Sequence, residues 1–137
     1  MARKILKNRR SCITTKVTIG TARTLYLSVD DVTAPNEVFL RIKGEAGSEK
    51  VSCFDVIARL ISMALQEGIP MAIIASLLHG TRSIPAGIVT GDDRIKFCDG
   101  SLDFIGKHLL IHYGGREDLA HMKKGQPLPY KLDEEAS

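Results

Sequence analysis

The sequence predicts an α+β fold, a two-layer sandwich in which an antiparallel β meander is covered on one face by about three helices. Three observations carry this reading. Residues 14–43 alternate apolar and polar side chains, residues 48–80 repeat apolar positions at helical spacing, and a further helical pattern runs to about residue 113. Strands first and helices after is the order of an α+β domain, not of alternating βαβ units. The length of 137 residues fits one domain with a single core.

The strands come first in the chain. TTKVTIG is β-branched and alternating, and Gly20, Thr21 and Ala22 offer a turn into RTLYLSVDD. In that second run Leu25, Leu27 and Val29 share one face, opposite Thr24, Tyr26 and Ser28. A polar connection from Asp30 to Asn36 leads to EVFLRIKG, where Val38, Leu40 and Ile42 face one way and Phe39, Arg41 and Lys43 the other. One face of this meander is built for a core, and the other carries unusual positive charge.

The helices follow. Ser48 is placed to cap a helix whose first turn holds Glu49, a carboxylate that suits the positive end of the helix dipole. Phe54, Ile57, Ala58, Ile61 and Leu65 repeat at helical spacing, and Gly68 is the expected stop. Pro70 opens a second helix, MAIIASLLHG, which ends on another glycine. A third is expected over residues 98–113 with Leu102, Ile105, Leu109 and Tyr113 inward. Between the last two lies TRSIPAGIVTGDDRIKF, residues 81–97, read as a loop too long to be idle. The expected organisation is a basic arm over residues 1–13, one domain over 14–121 and a tail over 122–137.

Composition narrows the function classes. No apolar run reaches the roughly 18 residues of a membrane span, and no signal peptide is recognised, so a cytoplasmic protein is expected. Cys12, Cys53 and Cys98 form no CxxC pair, which speaks against a zinc ribbon or a dithiol redox centre; Cys53 and Cys98 are expected in the core. Arg3, Lys4, Lys7, Arg9, Arg10 and Lys16 precede the first acidic residue, Asp30. This arm lacks interleaved aromatics and is read as solvated, so nucleic acid is not the expected partner.

Catalytic patterns are missing. No GxSxG, Walker loop or Gly-x-Gly-x-x-Gly occurs, and no metal site is expected. His108 and His112 are spaced i, i+4, but no HExxH glutamate accompanies them and no third ligand stands out, so they are read as solvated. Adjacent Asp92 and Asp93 are expected to point apart. What remains suits phosphates and polar rings. Gly44 and Gly47 precede a helix N-terminus, where free N–H groups attract anions. Arg23, Arg41, Lys43, Arg59, Arg82 and Arg116 could serve a shared cleft, since guanidinium groups fork onto phosphate. Asp92 or Asp93 could accept from ribose hydroxyls.

At these residues the chain resembles a known family. VFLRIKGEAG, VIARLISMALQEGIPM, TRSIPAGIVTGDDRIKF and LDFIGKHLLIHYGGREDLAH resemble the C-terminal TSCPD domain of vitamin B12-dependent (class II) ribonucleotide reductases, over roughly residues 14–121. The resemblance does not bring the reductase's catalytic barrel, radical-forming cysteine or cobalamin site, so neither an enzyme nor a cofactor is expected. A chain of this kind also looks like the phage anti-Thoeris sponge proteins, homo-oligomers that sequester cyclic nucleotide immune signals, including glycocyclic ADP-ribose and some cyclic oligonucleotides. That likeness implies a dimer or hexamer in the bacterial cytoplasm, acting against Thoeris or CBASS-type signalling. The ligand, a cyclic nucleotide or ADP-ribose-derived molecule, would lie between subunits with residues 82–93 contributing. It points to Arg82, Ser83, Pro85, Asp92 and Asp93. Ser83 stands where the family usually has an aromatic, and Asp92 where asparagine is common, so the preferred nucleotide would differ. The alternative is an accessory nucleotide-binding module working in trans with a class II reductase.

Overall fold

The computed structural model describes residues 11–30, 34–44 and 47–121. The basic residues before position 11 and the acidic tail beyond 121 lie outside them. Five strands form one antiparallel sheet: β1 (Cys12–Ile19), β2 (Arg23–Asp30), β3 (Val38–Ile42), β4 (Gly87–Thr90) and β5 (Phe97–Cys98), in the order β3-β2-β1-β4-β5. The helices are α1 (Glu49–Gln66), α2 (Met71–Leu78) and α3 (Ser101–His112), followed by a short 3-10 turn, Glu117–Leu119.

The alternation read from the sequence sets the sheet's two faces. Val17, Ile19, Leu25, Leu27, Val29, Val38, Leu40 and Ile42 are buried on the helix side. The β1–β2 register pairs Val17 with Leu25 and Ile19 with Arg23 across the Gly20–Ala22 turn, and Gly20 sits at φ 58°, a left-handed conformation natural to a three-residue hairpin. Helix α1 lies along β3 and α2 packs on α3. The Ser62 hydroxyl of α1 accepts from the Val38 N–H (2.8 Å) and donates to the Val38 carbonyl (2.9 Å), fastening α1 to the edge strand.

The caps behave as the sequence suggests. Ser48 Oγ accepts from the Val51 N–H at 3.3 Å, and Gly68 follows the last turn of α1 at φ 95°. Pro70 precedes α2. Helix α3 is shorter than expected, starting after Gly100, and from Asp103 to Ile111 it is buried throughout. Gly106 makes this possible: a Cβ there would fall 2.8 Å from the Ala75 carbonyl oxygen of α2, closer than atoms tolerate.

Residues 81–97 are not one loop, and this corrects the sequence reading. They contain β4, which extends the sheet by pairing Thr18 with Thr90 and Ile19 with Val89, and the first residue of β5. Four residues and two residues are too short to show periodicity. Cys98 is buried as expected, but Cys53 is exposed. It lies one residue outside the apolar stripe of α1, about 100° around the helix from Phe54.

Candidate functional site

Among the described residues, two clefts each gather at least four charged or titratable side chains. The first is a groove of about 700 Å³ where β2, the end of β3, the start of α1 and the 84–85 segment meet. Arg23 and Lys43 enter it from neighbouring strands, Ser48 and Lys50 from the first turn of α1, and Ile84 and Pro85 from the far wall. The Arg23 guanidinium carbon sits 5.6 Å from the Phe54 ring centroid, within cation–π range. Its Nε is buried and has no hydrogen-bond partner among the described residues. A buried donor left unpaired is costly, so this atom is suited to an incoming acceptor. Glu49 lines the same groove but is outnumbered by Arg23, Lys43 and Lys50.

The second cleft, about 400 Å³, holds Asp92, Asp93, His108, His112 and Tyr113 beside the start of β1. Asp92 is 2% exposed, which overturns the expectation that it is held out for a ligand. Its Oδ2 lies 2.7 Å from His108 Nδ1 and its Oδ1 3.2 Å from His112 Nε2. Oδ1 also accepts from the N–H groups of Arg94 (2.8 Å) and Ile95 (3.1 Å). Burial alone would raise the Asp92 carboxyl, but the hydrogen bonds from the two histidines outweigh it and hold the group well below the usual carboxylate range. Burial pushes the His108 imidazole down, and the ring is enclosed, not the solvated one expected. Asp93 is exposed, but the two carboxylates do not point apart as expected: Asp93 Oδ1 lies 3.7 Å from the same His112 Nε2 that Asp92 Oδ1 approaches at 3.2 Å.

Gly91 sets Asp92 in place. It sits at φ 110°, and a Cβ there would collide with the Lys16 carbonyl oxygen of β1. Gly91→Ala is therefore expected to cost about 2–4 kcal/mol, from strain and overpacking together. A urea denaturation midpoint checks this; an unchanged midpoint would mean the turn relaxes freely.

The other expected ligand residues scatter. Arg41 lies on the open face of the sheet with its guanidinium carbon 4.7 Å from the Tyr26 ring centroid. Arg59 is exposed and pairs with Asp55 at 3.2 Å, and Arg116 pairs with Asp118 at 2.9 Å. Arg82 is exposed, while Ser83 is tied by its N–H to the Asp99 carbonyl at 3.0 Å. Arg94 is 5% exposed and pairs with Glu117. Only Arg23, Lys43 and Pro85 of the expected set share a cleft among themselves, and Asp92 and Asp93 share the other. Sequence reasoning missed Asp103, a buried carboxylate at the α2–α3 joint, because a lone aspartate in a helical run gives no signal.

A family model for the TSCPD domain matches residues 2–113. The chain belongs to the TSCPD domain family. This TSCPD chain is 33% identical over 122 residues to the vitamin B12-dependent ribonucleotide reductase of Agrobacterium fabrum, and 32% identical over 122 residues to that of Bradyrhizobium diazoefficiens. Each alignment covers 88% of the TSCPD chain. The reductase of Streptantibioticus cattleyicolor is 29% identical over 113 residues, or 81% of the chain. The match spans only 9%, 10% and 18% of these relatives' own lengths. No solved structure matches the TSCPD chain significantly. Among the described residues no helix is long and apolar enough to cross a membrane.

Proposed function

We propose that this TSCPD domain binds a phosphate-bearing nucleotide in the Arg23–Lys43 groove and sequesters it without chemical change. The carrying observation is that Arg23 of β2 and Lys43, just past the end of β3, line one groove with the first turn of α1, and that the Arg23 Nε is buried without a hydrogen-bond partner among the described residues. Phosphate suits such a place because guanidinium, ammonium and helix N-terminus all favour an anion. Ile84 and Pro85 supply apolar surface for a ring. The nucleotide class is a cyclic nucleotide or an ADP-ribose-derived signal, which makes the protein a non-catalytic sponge that disarms immune signalling of the Thoeris or CBASS type.

A homo-oligomer completes this reading. Val56, Leu60 and Met63 form an exposed apolar stripe at helical spacing along α1, and Ile69, Ile73 and Leu77 are exposed just before and along α2. Stripes of this kind fit an interface between copies.

The test is incubation of the purified protein with cyclic nucleotides and cyclic ADP-ribose isomers, with free ligand followed by chromatography before and after heat denaturation. Depletion followed by recovery of intact ligand is expected. A new product would make the protein an enzyme. No depletion, together with capture of a class II reductase, would favour the second reading, an accessory module acting in trans, which the similarity to reductases supports.

A further inference from the structure

We propose that Asp92, His108 and His112 form a binding site for one divalent first-row transition-metal ion, independent of the nucleotide groove. Their donor atoms, one carboxylate oxygen and two imidazole nitrogens, all lie within 4.8 Å of one another. Two donors held about 2.0–2.1 Å from a tetrahedral ion sit about 3.3 Å apart. The 3.2 Å from Asp92 Oδ1 to His112 Nε2 already matches that spacing; the 2.7 Å from His108 Nδ1 is to the other oxygen, Oδ2, so the carboxylate or the His108 ring must shift for one oxygen to serve with both rings.

The set is held from behind, as metal ligands are. The Arg94 and Ile95 N–H groups fix the Asp92 carboxylate. The His108 ring is flanked by Phe104 and Tyr113, with centroids 5.7 Å and 6.2 Å away. The i, i+4 spacing puts both rings on one face of α3, with centroids 4.4 Å apart. His112, whose side chain is 26% exposed, opens onto the 400 Å³ cleft and supplies the entry path. An ion would replace the protons between the rings and the carboxylate, and each imidazole would carry its proton on the other nitrogen.

Three protein donors leave a tetrahedral ion one position short. That position faces the cleft, where Asp93 lies 3.7 Å from His112. A water or an anionic oxygen would take it. Two nitrogens and one carboxylate suit zinc, iron(II) or manganese and give no preference for calcium.

The full chain, stripped with a chelator, would be titrated with zinc against a chromophoric competitor. One zinc per chain is expected, weakened at least about tenfold by His112→Ala and unchanged by joint Cys12→Ser and Cys53→Ser. Cobalt(II) loading should give a visible ligand-field band without a thiolate charge-transfer band, a reading that stands even if His112→Ala fails to fold. Wild-type protein that retains no zinc, full affinity in a folded His112→Ala variant, or loss of binding in the serine variant would each overturn the site and leave a plain hydrogen-bonded triad. None of these outcomes bears on nucleotide capture, because the groove uses none of the three residues.

Discussion

Asp103→Ala is expected to remove about 3–5 kcal/mol of folding stability, the cost of breaking a buried ion pair from one side. The carboxylate is fully buried and joins three groups. Its Oδ1 accepts from the Gly80 N–H at 2.7 Å, where α2 ends, and its Oδ2 accepts from the Asp99 N–H at 2.8 Å, just before α3. The Lys107 ammonium lies 3.2 Å from Oδ2, with its side chain 11% exposed. Alanine would orphan two N–H groups and leave Lys107 without its counter-charge. Against a total of about 5–15 kcal/mol, that is enough to unfold a large fraction of the protein at the low end. Urea denaturation measures it, with Asp118→Ala as the control. Among the described residues Asp118 holds an exposed pair with Arg116, so its midpoint should not move.

The same carboxylate sets an acid limit. Burial alone would raise it, but the Asp99 and Gly80 N–H groups, followed by Lys107, hold it below the usual carboxylate range. A folded value below the unfolded one means its stabilisation is complete above about pH 4 and is lost as pH falls below that. Asp103→Asn removes this dependence, so its stability curve should fall less steeply on acidification than the wild type's. Parallel curves would show that other carboxylates govern the acid limit.

How much of this was legible in the sequence depends on where each signal resides. Strands β1 to β3 announce themselves because alternate residues within them, Val17 and Ile19, Leu25, Leu27 and Val29, and Val38, Leu40 and Ile42, are buried against the helices. Helices α1 and α2 do so because Ser48, Gly68 and Pro70 punctuate a 3.6-residue period. Strands β4 and β5 escape detection: β4 owes its extended shape to pairing with β1, some seventy residues earlier, and β5 to pairing with β4, and neither to any pattern of its own. The Gly-Asp-Asp-Arg stretch reads as part of a ligand-binding loop for a related reason. Burying Asp92 is tolerable only because His108 and His112 arrive from α3 and Glu117 receives Arg94. The cations of the groove were visible one by one. Their convergence follows from the β2–β3 register, which pairs Leu25 with Ile42 and thereby brings Arg23 and Lys43 to the same end of the sheet. That register also sends Arg41 to the open face opposite Tyr26, and helical periodicity leaves Arg59 outside.

The groove makes the second large prediction. Lys43→Glu should weaken capture of whichever nucleotide the panel identifies by about 100-fold or more. A charge-assisted hydrogen bond to phosphate contributes about 1.5–3 kcal/mol, reversal adds repulsion, and each 1.4 kcal/mol is tenfold in affinity. Lys43 is exposed, so thermal unfolding should hardly change, and calorimetric titration reads the loss directly. Arg23→Lys is the companion variant. It keeps the charge but removes the buried Nε and the stacking on Phe54, so it distinguishes shaped recognition from bulk attraction. If charge alone governed binding, Arg23→Lys would bind like wild type and moderate salt would abolish capture, since exposed charges are screened within about 8–10 Å. Arg41→Glu tests the competing place, the open sheet face where Tyr26 and Phe39 could stack a base beside a guanidinium. A ligand indifferent to Lys43 and lost with Arg41 would move the site to that face, with the uncovered side of the sheet as its platform.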